Sequence, residues 1–234
     1  MDRPDIAYAS KELCRCFAHP SRAAVDALKR LVRYLVGRPR LLWHFNFQPL
    51  EDVLTTSVDT DFGGCVVTRR STSGGASMRG KHLVKHWSLT QSTLALSSAE
   101  AELGGICKGT SIAIGLASVA RDLGINWELV VQTDAAAAIG VCRRRGLGKI
   151  RHLSTADLWI QDKVRQKEID LVKIPGQQNV ADILTKHVDR TTLERHMLSM
   201  GLRQAQGRAQ SAPTIDYSSA MFIPPATLSR MTRR

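Results

Sequence analysis

Two glutamates, Glu100 and Glu102, stand two residues apart in the stretch LALSSAEAEL, where a helical pattern begins. Ser97-x-x-Glu100 has the form of a capping box, in which the serine takes a free N–H of the first turn and the glutamate reaches back. That accounts for Glu100 without chemistry. Glu102 is different. The apolar stripe of this helix runs through Ala99, Leu103, Ile106, Thr110, Ala113, Ala117 and Ala120. At about 100° per residue, Glu102 falls roughly 60° from the stripe's centre and Glu100 about 100° away on the other side. A carboxylate at the edge of a buried face is costly unless it is paired or holds a metal. Three aspartates have comparable settings: Asp59 at the end of VLTTSVD, Asp134 at the end of WELVVQTD, and Asp182 in the first turn of VADILTKHV. Any one of them reads most simply as a cap or turn residue. Together they form a set of hard oxygen donors suited to Mg²⁺, and clustered carboxylates can hold two such ions across a phosphodiester.

The elements that must position these acids follow from periodicity. Residues 4–17 and 21–36 read as two helices forming a hairpin, broken at His19-Pro20-Ser21. In the second, Ala24, Val25, Leu28, Leu31, Val32, Leu35 and Val36 keep helical spacing, Ser21 can cap the start and Gly37 the end. An extended piece is expected over 41–47. From residue 53 the pattern changes to strands: one ending on Asp59, then two joined by a turn near Gly80-Lys81. A long helix follows over 98–122. WELVVQTD suits a buried parallel strand. AAAAIGVCRR and STADLWIQDKVRQK read as helices, EIDLVKI as a strand, and Asn179 can cap a last helix. Three strands, a helix, a strand, helices, a strand and a helix imply an α/β fold with a mixed sheet. In such sheets ligand sites form beyond the carboxyl ends of the strands, where Asp59 and Asp134 sit.

The 234 residues carry a net charge of +12 and a pI of about 10.0, which points to a polyanionic partner. The charge is concentrated in VCRRRGLGKIR, where Arg143, Arg144, Arg145, Lys149 and Arg151 have no acid among them. A basic loop of this kind suits phosphate contacts. Cys14-x-Cys16 near His19 lacks a second ligand pair at finger spacing, and five irregularly spaced cysteines argue against a disulfide framework. The N-terminus has no apolar signal region, and no run is expected to approach the apolar length needed to span a bilayer, so no membrane partner and an intracellular location are expected. Residues 204–234, rich in Ala, Ser, Pro and Arg, read as a disordered basic tail.

DTDFGGCVVTRRSTSGG, ALSSAEAEL, QTDAAAAI, GKIRHLSTADLWIQDKV and NVADILTK resemble the ribonuclease H segment of copia-type LTR retrotransposon Pol polyproteins. The opening, RPDIAYASKELCRCFAHPSRAAVDALKRLVRYLVG, resembles the end of the preceding reverse transcriptase. The resemblance runs from about residue 3 to 202. It implies three parts: a reverse transcriptase remnant over 1–49, a ribonuclease H-like domain over 50–203, and the tail. The fold implied is a ribonuclease H-like mixed five-stranded sheet flanked by helices, preceded by the helical hairpin.

Carried over by position, the resemblance makes Asp59, Glu102, Asp134 and Asp182 a catalytic, metal-binding quartet. Asp59 is a better match than Asp61, although strand alternation puts both on one face. The chemistry implied is hydrolysis of the RNA strand of an RNA–DNA hybrid with two Mg²⁺ ions, Mn²⁺ being an alternative. Ser71, Thr72 and Ser73 become candidate backbone contacts beside the basic loop. A polymerase domain would have to come from a longer Pol product, and the setting implied is a cytoplasmic virus-like particle or the nucleus. Three departures from the family pattern bear on activity. Ala135 to Ala138 replace an asparagine and a small polar residue, Leu103 replaces an aromatic, and His187 replaces a proline after Lys186. His152 matches a family position but suits a helix cap. The alternative is a degenerate nucleic-acid-binding remnant of Pol.

Overall fold

The computed structural model describes residues 3–49, 51–146, 148, 158–207 and 209. Lys149, Arg151 and His152 lie outside the described residues, as does nearly all of the expected tail. Two short helices open the chain, α1 (Ala7–Cys14) and α2 (Arg22–Gly37). Ser21 caps α2 as its position predicts, its hydroxyl accepting from the Ala24 N–H at 3.2 Å.

Strand β1 (Arg40–Trp43) leads to the main sheet, built from β2 (Val53–Asp61), β3 (Thr72–Arg79), β4 (His82–Thr90), β5 (Glu128–Thr133) and β6 (Asp170–Lys173). The strand order is β4-β3-β2-β5-β6. β2 is central, antiparallel to β3 and parallel to β5, and β5 is parallel to β6. The sheet is therefore mixed and five-stranded. β2 and β3 are buried almost without alternation because both faces of the sheet are covered. Between β3 and β4 the chain turns at Gly80, whose φ of 54° is one that a residue with a side chain rarely adopts.

Helix α3 (Ser98–Asp122) lies on one face. Ile106 and Leu103 pack there with Leu54, Val58, Leu129 and Val131, and the shorter helices α4 (Ala136–Arg143) and α5 (Trp159–Arg165) complete that core. By length and composition α3 meets the requirement for crossing a bilayer, so, contrary to expectation, the described residues do contain one such segment. Its burial against β2 and β5 accounts for its apolarity. Two glycines let it approach closely. A Cβ at Gly105 would stand 2.5 Å from Thr60 Oγ1, and one at Gly109 would stand 2.3 Å from Val58 Cγ1.

The opposite face is closed by α1, a 3₁₀ turn at Val180–Leu184, helix α6 (Arg190–Ser199) and strand β7 (Leu202–Ala205). Met78, Leu83, Leu184, Met197, Met200 and Leu202 fill this second core. Three expectations are corrected. The segment after Asn179 is a 3₁₀ turn rather than a helix. It is not the last helical element, since α6 follows; the polar run RTTLERHMLS hides that helix from periodicity. The extended piece expected over 41–47 is a strand only over Arg40–Trp43, and it pairs with β7, which takes in Gln204 and Ala205 from the expected tail. That pairing joins segments far apart in sequence, which no local pattern reveals.

Candidate active site

Asp59 lies near the carboxyl end of β2, and Asp134 follows the last residue of β5, the parallel neighbour of β2. Glu102 projects from the first turns of α3. Ser97 starts that helix, accepting from the Glu100 N–H at 3.2 Å, while Glu100 Oε2 accepts from the Leu96 N–H at 2.7 Å. Glu100 is thus occupied in capping, and the helix rotation leaves Glu102 half-buried over the strand ends. Carboxylate oxygens of Asp59, Glu102 and Asp134 all lie within 4.8 Å of one another. Asp59 is in this group and Asp61 is not. Asp61 stands at the last position of β2, half-exposed, and its carboxyl is raised by burial and by the neighbouring Asp59.

The electrostatics follow from this crowding. Burial, then the charges of Asp59 and Asp134, push the Glu102 carboxyl up to about 8. One of its oxygens, Oε2, is buried without a hydrogen-bond partner. An unpartnered buried carboxylate oxygen among other carboxylates is the setting a hard divalent cation satisfies. The donors are all carboxylate oxygens, which favours Mg²⁺ or Mn²⁺ over softer ions. The residues present therefore fit the metal that the family resemblance implies.

Asp182 approaches from the second face. Asn179 holds its turn in place: the Nδ2 amide donates to the Val58 carbonyl at 2.9 Å, and Oδ1 accepts from the Ala181 N–H at 3.2 Å. Gly74 allows the contact, since a Cβ there would stand 2.7 Å from both Leu184 Cβ and Thr185 Cγ2. Burial and the charge of Asp59 raise the Asp182 carboxyl. Asp182 stands outside the group of three and pairs instead with Lys186, whose Nζ is 3.0 Å from Asp182 Oδ1 and 3.6 Å from Asp59 Oδ2. Burial works to lower the Lys186 ammonium, but Asp59 and Asp182 outweigh it and raise it. Thr185 Oγ1 donates to Asp59 Oδ2.

Sequence reasoning passed over Thr185, Lys186 and Asn179's bond to β2. The i, i+4 spacing of Asp182 and Lys186 carried a signal for the ion pair. Nothing local signalled the contacts to β2.

Other expected contacts are placed differently. Ser71, Thr72 and Ser73 are buried, at 0%, 2% and 4% exposure. Their hydroxyls accept from the Gly63 N–H, Lys11 Nζ and Gln91 Nε2 respectively, so all three are engaged inside the protein. Arg143 donates to the Leu171 carbonyl at 2.7 Å, fastening α4 to β6, while Arg145 is exposed. Among the departures, Leu103 is a core residue, and His187 meets Tyr8 of α1 edge to face at 4.9 Å. Helix α4 begins straight after Asp134 with Ala135 at its cap, where no side chain closes the first turn.

No protein-family profile matches the chain. It is 28% identical over 194 residues to the retrovirus-related Pol polyprotein from transposon TNT 1-94 of Nicotiana tabacum, a match covering 82% of this chain and 14% of that one. It is 27% identical over 205 residues to the corresponding polyprotein from transposon RE1 of Arabidopsis thaliana, covering 86% and 14%. Among solved structures, the N-terminal RNase H domain of rv2228c from Mycobacterium tuberculosis is 16% identical with a TM-score of 0.42, covering 64% of this chain and 99% of that one. The chain spans a small fraction of the polyproteins it matches, and within that fraction it carries the acid group just described. By sequence, then, the homologues that match most of the chain are Pol polyproteins of retrovirus-related transposons, each matched over a small part of its own length.

Proposed function

We propose that the chain acts as a ribonuclease H, hydrolysing the RNA strand of an RNA–DNA hybrid. The observation that carries this reading is the carboxylate group formed by Asp59 and Asp134, near the carboxyl ends of neighbouring strands, and Glu102 of α3, whose buried Oε2 is unpartnered. Those three, with Asp182 beside them, would hold Mg²⁺ or Mn²⁺. Such an ion supplies a nucleophilic water at neutral pH and charge stabilisation at phosphorus. Asp59, a member of the group of three whose charge also acts on Asp182, would contribute to holding the metal on both sides of the site. Asn179 and Thr185 are positioning residues, fixing the turn of Asp182 and one Asp59 oxygen. Hydrolysis would leave 5′-phosphate and 3′-hydroxyl ends. Contacts to 2′-hydroxyls across the shallow minor groove would select the RNA strand. The net charge of +12, with exposed Arg145 and its neighbours, favours the polyanion. On this reading residues 1–49 are the end of a reverse transcriptase whose polymerase part is supplied by a longer Pol product.

A second reading, a nucleic-acid-binding remnant without turnover, is favoured by the alanine run after Asp134 and by the lysine already seated against two of the acids. Incubating the full chain with a labelled RNA–DNA hybrid in Mg²⁺, beside Asp134→Asn, separates the two. Cleavage of the RNA strand alone, reduced at least about 100-fold in the variant, supports the nuclease. Hybrid binding that weakens with salt, without cleavage in Mg²⁺ or Mn²⁺, leaves the remnant.

A further inference from the structure

We propose that Lys186 is the resident cation of the acidic site, holding the Asp59–Asp182 side that a second divalent ion would otherwise take. The inference deepens the reading above and relies on it for the competing ion. One ammonium lies within 4 Å of both carboxylates, at 3.0 Å from Asp182 and 3.6 Å from Asp59. Glu102 Oε2 and Asp182 Oδ1 are both buried without a hydrogen-bond partner, but Asp182 Oδ1 has the lysine's charge at 3.0 Å, and no ion pair reaches Glu102 among the described residues. The four acids are therefore served unequally. Two share a tethered monovalent cation, and the group of Asp59, Glu102 and Asp134 is left for an ion from solution.

A divalent ion bridging Asp59 and Asp182 would meet the lysine's positive charge at close range and must displace it. The fold provides somewhere for the side chain to go. Lys186 also lines a cavity of about 400 Å³ between the two N-terminal helices and the turn of Asp182, with Tyr8, Glu12, Leu13 and His187 among its walls. The lysine is 44% exposed on its side chain, so its withdrawal breaks no packed core.

The test is Mn²⁺ binding to the full chain by titration calorimetry, with free Mn²⁺ followed by electron paramagnetic resonance. Wild type, Lys186→Met and Lys186→Arg are compared. The expected result is one Mn²⁺ per chain for wild type and Lys186→Arg. Lys186→Met should show a second Mn²⁺, or binding at least tenfold tighter. Equal stoichiometry and affinity in a Lys186→Met chain with wild-type circular dichroism would overturn the proposal.

Thermal melting in EDTA supplies a readout independent of any metal. Lys186→Met should melt several degrees below wild type, and adding Asp182→Asn should restore most of the loss. Strictly additive effects would again overturn the proposal. If no chain binds Mn²⁺ but the coupling with Asp182 is present, the metal-dependent nuclease falls while Lys186 stands as the resident cation.

Discussion

Helices α2 and α3 are both legible as amphipathic, yet they end in opposite circumstances. α3 buries nine residues and carries Glu102 into the acid group. α2 buries none, and Val25, Leu28, Val32 and Val36, all on one side of it, stay between 42% and 77% exposed. Period and capping state that a segment is helical and which stripe is apolar. They do not state what covers the stripe. For α3 the answer is the sheet, reached because Gly105 and Gly109 leave room for β2. For α2, within the described residues, only the inner side is used: Tyr34 donates to Asp5 at 2.8 Å and accepts from Gln204 at 2.7 Å.

The largest difference between the two helices should appear on truncation. Ile106→Ala, at a fully buried position of α3, should cost about 2–5 kcal/mol in urea unfolding. The matched change Val32→Ala in α2 belongs at the other end of the scale, within about 0.5 kcal/mol of wild type. Similar costs at both positions would mean that the α2 stripe is covered in solution and that the contrast fails.

Next in size is Gly105→Ala. Its Cβ must push Thr60 or the helix away, at about 1–3 kcal/mol. Because Glu102 rides on the same helix, Mn²⁺ affinity measured calorimetrically should fall as well. An unchanged affinity would show that the close approach of α3 serves packing alone.

A smaller effect concerns pH. Glu102 is raised from an ordinary 4.5 to about 8, so between those values the folded chain holds a proton that the unfolded chain releases. Without a divalent ion, stability should therefore fall as pH rises through that window. Glu102→Gln should flatten the slope, leaving the variant more stable than wild type at pH above about 8 by on the order of 1–2 kcal/mol. Parallel melting profiles of the two proteins in EDTA would remove the electrostatic account of Glu102.

Much of this was readable before the fold was known. The span 98–122 for α3, the capping role of Glu100 and the inward turn of Glu102 followed from spacing alone, because each depends on residues within one or two helical turns. The placing of Asp59 and Asp134 close to strand ends was equally local, although β2 runs two residues beyond Asp59, to Asp61, and β5 stops one residue before Asp134. What escaped was non-local. The hydroxyls of Ser71, Thr72 and Ser73 look like surface contacts in a turn-like sequence. They are buried because α1, the loop after β2 and the residue following β4 all supply donors to them. The Asp59–Lys186 proximity depends on Asn179 reaching a carbonyl of β2 and on Gly74 admitting the turn. Helix α6 and strand β7 carried too little apolar pattern to be seen without the second core that they cover.

The pairing of β1 with β7 also sets an order in time. Trp43 stands opposite Leu202, and among the described residues β7 is the one strand that pairs with β1. During synthesis at about 5–20 residues per second, β1 leaves the ribosome on the order of ten seconds before its partner exists. The main sheet, α3 and the acid group can assemble in that interval. The pairing of β1 with β7 must close afterwards, so a nascent chain would hold its carboxylates in place while its first strand is still waiting.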